Sequence, residues 1–349
     1  MTQTPIKVGI VGAGFVGQLI HIPNYAINKD CSIVALAAGR PELRAKVAQR
    51  FGIPRTYATH KELLKDPEVE AVIVVTARPG IGPVAYDCLK AGKHVLTEKP
   101  MASSLLHAEK LVGAQAKNKT YAVGYQKRYN VGVHKFKAVL DQLIKSGELG
   151  PILHVRFHCI AGNNYGKADG HIVTDEKKTT SWETWSLAPD WVPDAEKQDY
   201  HQYLNFYCHD LNLMRYFFGK TPTVTSIQFD QPGFKLATFN FGSFSVLFET
   251  STYPGRAWDE SVEVYFAKGR LRIELPPTLT GNNPPAVELW RGENLETTRW
   301  QSDPSWDFRR QAETFINDAA HAKESVSSGA DSLEDIRLME AIWKMKLKI

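Results

Sequence analysis

Directly behind the apolar run Ile6–Val11 stands Gly12-Ala13-Gly14-Phe15-Val16-Gly17, and few folds place three glycines at that spacing after a strand. A continuous apolar run of this length suits a strand buried on both faces. Gly12 then permits the tight turn, Gly14 lets the backbone approach a pyrophosphate, and Gly17 allows close packing of a helix whose N-terminus faces the anion. Phe15 and Val16 complete the loop and are read with it as cofactor-binding positions. Alone, G-x-G-x-x-G also describes an ordinary glycine-rich turn, so its meaning depends on the segments C-terminal to it.

Those segments alternate between strand and helix. Strands are predicted over residues 32–38, 71–76, His94–Thr97 and 120–124, with helices over Pro41–Phe51, 82–91 and 103–118. Strands separated by helices imply a parallel sheet, so the first 125 residues are expected to form a Rossmann domain. Pro23 reads as a helix end or kink. Thr76 closes a strand at the sheet's carboxyl edge, where ligands bind, and is a cofactor-binding candidate. At the end of the second strand a carboxylate would hold the adenosine 2′-hydroxyl and a cation would accept a 2′-phosphate. The residues there are Ala38-Gly39-Arg40, with no acid and one arginine. That favours NADP slightly over NAD, unless Arg40 is a solvated surface charge.

At 349 residues, the chain exceeds one ordinary core and is expected to form two domains. A hydrophobic share of 43% with 23% charged residues marks a globular protein. The formal charge of +4, without a block of like charges, gives no nucleic-acid footprint. Cys31, Cys88, Cys159 and Cys208 lie far apart, which argues against disulfides and a zinc site, and no metal is expected. No run approaches a membrane span and no leader precedes the first strand, so the cytoplasm is the expected compartment.

Ala91-Gly92-Lys93-His94-Val95-Leu96-Thr97-Glu98-Lys99-Pro100 closely resembles the A-G-K-H-V-x-x-E-K-P segment of the glucose-fructose oxidoreductase / inositol dehydrogenase / rhizopine catabolism (Gfo/Idh/MocA) family. Phe51-Gly52-Ile53, residues 63–69 and Gly124-Tyr125-Gln126-Lys127-Arg128-Tyr129 are similar to family text too; the resemblance is dense to about residue 160 and thinner beyond. It implies a Rossmann domain over residues 1–125 and, over 126–349, an α/β substrate-binding and oligomerisation domain on a large, mostly antiparallel open sheet. The last helix is expected to pack back on the first domain. The sequence is compatible, with a helix over Val131–Ser146 and strands over 152–159, 223–230, 235–241, 243–251, 261–267 and 271–275. Phe308, Ala312, Phe315, Ile316 and Ala319 form one helical stripe, and Ser332 to Asp335 reads as a capping box opening the last helix.

The resemblance assigns Lys99 a place beside nicotinamide and substrate, where an ammonium can donate a proton to, or accept one from, a reacting oxygen. Glu98 either orients that lysine or touches the cofactor, and Gln126 is a further cofactor contact implied by the match. Many family members carry D-x-x-x-H-x-x-D where this chain has Asn205, His209 and Asn212 on one helical face. His209 thus aligns with the family's catalytic histidine, with Asn205 as its positioner. Both flanking acids are amides, which can orient the ring but cannot stabilise an imidazolium as a carboxylate would. A purely structural His209 is the other reading.

Arg128 either holds a substrate anion or pairs on the surface. Arg78 and Ile81 stand where many members carry asparagine and histidine, so the nicotinamide side of the pocket is expected to be atypical. Residues 162–198 are polar and tryptophan-rich, including Asn163, Asn164, Tyr165, His171, Trp182, Trp185 and Trp191. Such a stretch suits a binding loop for a sugar ring, with Trp185 as substrate contact, or else contributes core and oligomer contacts.

The expected activity is hydride transfer between nicotinamide and a secondary alcohol or ketone of a sugar, cyclitol or nucleotide-linked sugar. The same resemblance allows two others, a dinucleotide-binding regulator and an NAD-dependent glycoside hydrolase. A homodimer or homotetramer is expected to form through the open sheet face, which would otherwise leave apolar surface wet.

Overall fold

In the computed structural model, which describes residues 4–162, 169–177, 182–229, 233–253, 255, 258–281 and 283–349, the first strand is β1 (Ile6–Val11). With β2 (Cys31–Ala37), β3 (Arg55–Tyr57), β4 (Ala71–Val74), β5 (His94–Thr97) and β6 (Tyr121–Val123) it builds a sheet in the order β3-β2-β1-β4-β5-β6. Every neighbouring pair is parallel. The order reverses between β1 and β4, and that switch point is where an open parallel sheet binds ligands.

The connecting helices are α1 (Ile22–Ala26), α2 (Pro41–Phe51), α3 (His60–Leu63), α4 (Arg78–Lys90) and α5 (Leu105–Ala114). Pro23 stands in the first turn of α1. A π-helical turn over Gly17–His21 precedes it, and Ile22 N–H reaches back to Gly17 O. The sequence pattern does not reveal β3 and α3, which are only three and four residues long. It also starts α4 four residues late, at residue 82, because Gly80, Gly82 and Pro83 look like breakers.

The division into compact units is less simple than a break at residue 125. One unit comprises Met1–Tyr125, Asp169–Asn205 and Phe308–Ile336; the other comprises Gln126–Ala168, Phe206–Asp307 and Arg337–Ile349. The later segments join the first unit because their apolar stripe belongs to its core. Ala312, Phe315 and Ile316 of α8 (Asp307–Ala320) pack with Val8, Ile10, Leu36, Ile73 and Leu96. The start of α9 (Gly329–Leu347) adjoins a segment bonded to β6, with Val123 N–H donating to Ser327 O at 2.8 Å. Ser332 does not open α9; it is buried within the helix, and Ser328 Oγ caps it by accepting from Asp331 N at 3.2 Å.

In the second unit α6 (Val131–Ser146) and β7 (Ile152–Gly162) are followed by the long α7 (Asp194–Phe218). The unit boundary falls within α7, between Asn205 and Phe206. Then come β8 (Thr223–Gln228), β9 (Phe234–Asn240), β10 (Ser245–Tyr253), β11 (Trp258–Phe266), β12 (Gly269–Glu274), β13 (Ala286–Arg291) and β14 (Glu296–Trp300). The sheet order is β14-β13-β12-β11-β7-β10-β9-β8, antiparallel except where β7 meets β10. Two strands, β13 and β14, escape the sequence pattern, since prolines precede the first and the second is a polar edge strand.

One face of this sheet is apolar, with Phe157 and Phe248 meeting Phe217 and Tyr207 of α7. The alternate positions do not form the apolar surface expected from the sequence. They carry a charge ladder in which Arg156 pairs with Glu249 at 2.6 Å, Arg270 with Glu263 at 3.4 Å and Arg272 with Glu274 at 2.8 Å.

Candidate active site

Among the described residues, every side chain lining the candidate cleft belongs to the first unit. β1 ends in the glycine loop, and Gly12 adopts φ +117°, a conformation that residues with a Cβ avoid. A Cβ there would also lie 2.5 Å from Val75 O. At Gly14 a Cβ would meet nothing within 4 Å, so the loop backbone borders open space; at Gly17 it would lie 2.9 Å from Gly12 O. Gly17 therefore serves the packing of the loop and not the cleft wall.

The cleft measures about 920 Å³ and runs along the carboxyl ends of β2, β1, β4 and β5. Gly12, Gly14, Phe15, Val16, Arg40, Thr76, Glu98, Lys99 and Asn205 line it together, as do Arg78, Ile81 and Trp182. This volume and backbone cradle fit a dinucleotide.

Lys99 stands two residues beyond the end of β5. Its Nζ donates to Asn205 O at 2.9 Å and approaches Asn205 Oδ1 at 3.5 Å, so the N-terminal half of α7 holds the ammonium in the cleft. Glu98 turns to buried His21, whose Nε2 lies 2.7 Å from Glu98 Oε1, while Lys99 N–H donates to Glu98 Oε2 at 3.2 Å. Burial pushes the Glu98 carboxyl up, but the His21 hydrogen bond and the His21 and Lys99 charges outweigh it and hold it below its ordinary value. Glu98 is thus a carboxylate fixed by His21, suited to orienting the lysine loop and not to accepting a proton.

A residue the sequence pattern did not single out is His201. It lies one turn before Asn205 on α7, lines the cleft, and its Nε2 accepts from Arg78 Nη1 at 3.3 Å. Burial first, and then the Arg78 charge, lower its pKa, so it stands as a neutral imidazole. The available signal was spacing, since His201, Asn205 and His209 succeed one another at four-residue intervals.

Other predicted positions lie elsewhere. Trp185 is not among the cleft-lining residues. Its ring stacks on His107 at 4.2 Å with Lys110 over it at 5.3 Å, and it occupies the space that a Cβ on Gly82 would need, 2.3 Å from Trp185 Cε3. Trp182 fits against Gly80 in the same way and does border the cleft. Asn163, Asn164 and Tyr165 lie outside the described residues.

Gln126, Arg128 and His209 belong to the second unit. Gln126 is buried, with its amide 3.5 Å from Thr278 Oγ1. Arg128 is buried rather than pairing on the surface: Nε donates to Asn212 Oδ1 at 2.6 Å, and the guanidinium sits 5.2 Å from the Tyr216 ring centre. The amide at 212 therefore has a partner the sequence did not reveal. His209 is half-buried on α7.

Residues 6–125 match the family model described as "Oxidoreductase family, NAD-binding Rossmann fold". Among curated proteins the chain is 25% identical over 146 residues to myo-inositol 2-dehydrogenase of Thermotoga maritima, covering 42% of each. It is 34% identical over 107 residues to trans-1,2-dihydrobenzene-1,2-diol dehydrogenase of Mus musculus, covering 31% of each. The matched region thus spans less than half the length of these relatives. Among solved structures, aldose-aldose oxidoreductase from Caulobacter crescentus, complexed with glycerol, superposes with a TM-score of 0.77 at 20% identity, covering 99% of this chain and 98% of that one. A 3-ketoreductase from Actinomadura kijaniata in complex with NADP and TDP-benzene gives 0.76 at 17% identity, covering 98% of each. At such identities these two show a shared fold across both units.

Proposed function

We propose that this chain, whose residues 6–125 match the NAD-binding Rossmann model of the Gfo/Idh/MocA oxidoreductases, transfers a hydride between a nicotinamide dinucleotide and a secondary alcohol or ketone of a sugar or cyclitol. The observation that carries this reading is Lys99, held at 2.9 Å by Asn205 O in the same cleft as the glycine loop. The bound nicotinamide supplies the hydride donor or acceptor.

Lys99 donates a proton to the substrate oxygen in reduction and accepts one in oxidation. Asn205 keeps the ammonium in place. For His209, one turn further along α7, the resemblance supports a catalytic role. His201, neutral beside Arg78, positions that guanidinium on the cleft wall, where relatives' asparagine would be smaller and uncharged. The names of an inositol dehydrogenase and a dihydrobenzenediol dehydrogenase among the relatives, and of a 3-ketoreductase among the solved structures, support a polyol-type substrate. Arg40 taken by itself favours NADP, but the carboxylate of Glu176 near it opposes that choice. A homo-oligomer joined through the charged sheet face, in the cytoplasm, completes the reading. The four cysteines are buried free thiols, and burial pushes Cys31 up to about 12, which suits a reducing compartment.

The test is turnover on a panel of polyols and keto-sugars. Lys99→Ala is expected to reduce kcat by ~100-fold or more with dinucleotide binding retained, and His209→Ala to reduce it by at least ~10-fold. Near-normal turnover in Lys99→Ala would refute the mechanism.

A further inference from the structure

The cofactor's 2′ substituent is read at the turn between β2 and α2, and in this turn Arg40 precedes the helix without capping it. Arg40 has φ −89° and ψ 108°, and its side chain makes no cap hydrogen bond. The N–H groups of the first turn of α2 are nevertheless occupied. Glu42 N–H donates to Glu176 Oε1 at 2.9 Å and Leu43 N–H to Glu176 Oε2 at 2.8 Å, from a residue more than 130 positions further along the chain. Thr174 Oγ1 donates to the same carboxylate at 3.0 Å.

Burial pushes Glu176 up, but the two backbone donors, the Thr174 hydroxyl and the Arg40 charge hold it below the ordinary carboxylate range. It is anionic at neutral pH. The segment that delivers it is anchored at the glycine loop, at the turn behind it and at α2. Gln18 and Ile172 exchange two hydrogen bonds, Ile172 N–H to Gln18 Oε1 at 2.7 Å and Gln18 Nε2 to Ile172 O at 3.1 Å. His171 meets Phe15 of the glycine loop edge-on at 5.2 Å, and Arg50 Nη1 donates to Gly170 O at 2.5 Å. His171, Ile172 and Val173 themselves line the cleft.

A helix N-terminus beside an arginine is what a 2′-phosphate would use. In this chain an internal carboxylate already fills that role, binding the free N–H groups and offsetting Arg40. A second anion placed beside it meets like-charge repulsion at close range, whereas a 2′-hydroxyl donates to a carboxylate oxygen. We infer that Glu176, held by the segment Asp169–Lys177 at the N-terminus of α2 beside the cleft-lining Arg40 and Leu43, specifies the 2′-hydroxyl and makes this protein select NAD over NADP. It performs, from a remote part of the chain, the task of the acid absent from Ala38-Gly39-Arg40. The inference rests on the dinucleotide reading of the cleft and deepens it.

The experiment measures equilibrium binding of NADH and NADPH to the full chain, by calorimetry or by quenching of protein fluorescence, for the wild type, Glu176→Gln and Arg40→Ala. Wild type is expected to bind NADH at least ~10-fold more tightly than NADPH. Glu176→Gln keeps an oxygen for one of the two α2 N–H groups and removes the charge, so the ratio of the NADPH to the NADH dissociation constant is expected to fall ~10-fold. Arg40→Ala in the Glu176→Gln background should cancel that fall. If Glu176 were only a helix cap, Glu176→Gln would leave the NADH-to-NADPH ratio unchanged, and that result overturns the inference, as does a wild type preferring NADPH. Binding of neither nucleotide to a folded wild type would instead refute the dinucleotide reading itself, and this inference with it.

Discussion

At the scale of single residues, the site depends on charges whose partners lie far away in sequence. Glu98 is the clearest case, because the E-K-P match placed it beside the lysine but did not reveal buried His21. Its carboxyl is held below its unfolded value, so it contributes stability that is present above the ordinary carboxylate range and lost as pH falls through the lowered folded value. Glu98→Gln is accordingly expected to destabilise the protein at pH 7 by about 1.5–3 kcal/mol, the worth of a hydrogen bond to a charged group. Denaturant titrations at pH 7 and pH 4 should show the gap between wild type and variant narrowing on acidification. A gap that stays constant would mean that His21 does not sense the charge of Glu98. The resemblance could identify Lys99 because its segment is local in sequence. It could not identify His201, whose role arises from a hydrogen bond to Arg78 across 123 positions.

Among elements, the connections that decide geometry are those made by side chains unsuited to burial alone. In the second unit Lys127 lies buried against Glu260 of β11, with Asp210 of α7 at 4.0 Å and Cys159 of β7 in the same group. Two carboxyls oppose one ammonium, and burial pushes Glu260 up to about 8, so one of the acids retains a proton near neutrality. The ammonium is the group that makes this burial tolerable. Lys127→Met is expected to cost about 3–5 kcal/mol in urea unfolding, since it leaves the acids without a counter-charge. A loss below about 1 kcal/mol would show that the acids simply take up protons instead. Within the first unit, α4 begins early through Gly80 and Gly82 for a related reason. The tryptophans at 182 and 185 occupy the space their missing side chains leave, so two apparent helix breakers are packing surfaces.

For the whole molecule, the cofactor is expected to act as a stabiliser of the first unit, whose segments Asp169–Lys177 and α2 border the same cleft as the glycine loop. NADH at about 100 times its Kd should raise stability by ~2.7 kcal/mol, seen as a higher Tm, with slowed hydrogen exchange at the glycine loop and at the amides of Glu42 and Leu43. Unchanged exchange at those two amides would count against the strap as part of the cofactor site. The parallel sheet, the glycine loop and the apolar stripe of α8 could be read along the chain, because each is written in local spacing and burial period, while Lys99 was legible through the resemblance of its contiguous segment. Tertiary structure alone decided that a carboxylate from residue 176 would meet the helix behind Arg40, that Asn212 would hold Arg128, that Trp185 would pack on α4, and that the open sheet face would be charged. Those outcomes depend on which distant segments share a volume, and such neighbours leave no periodic trace along the chain.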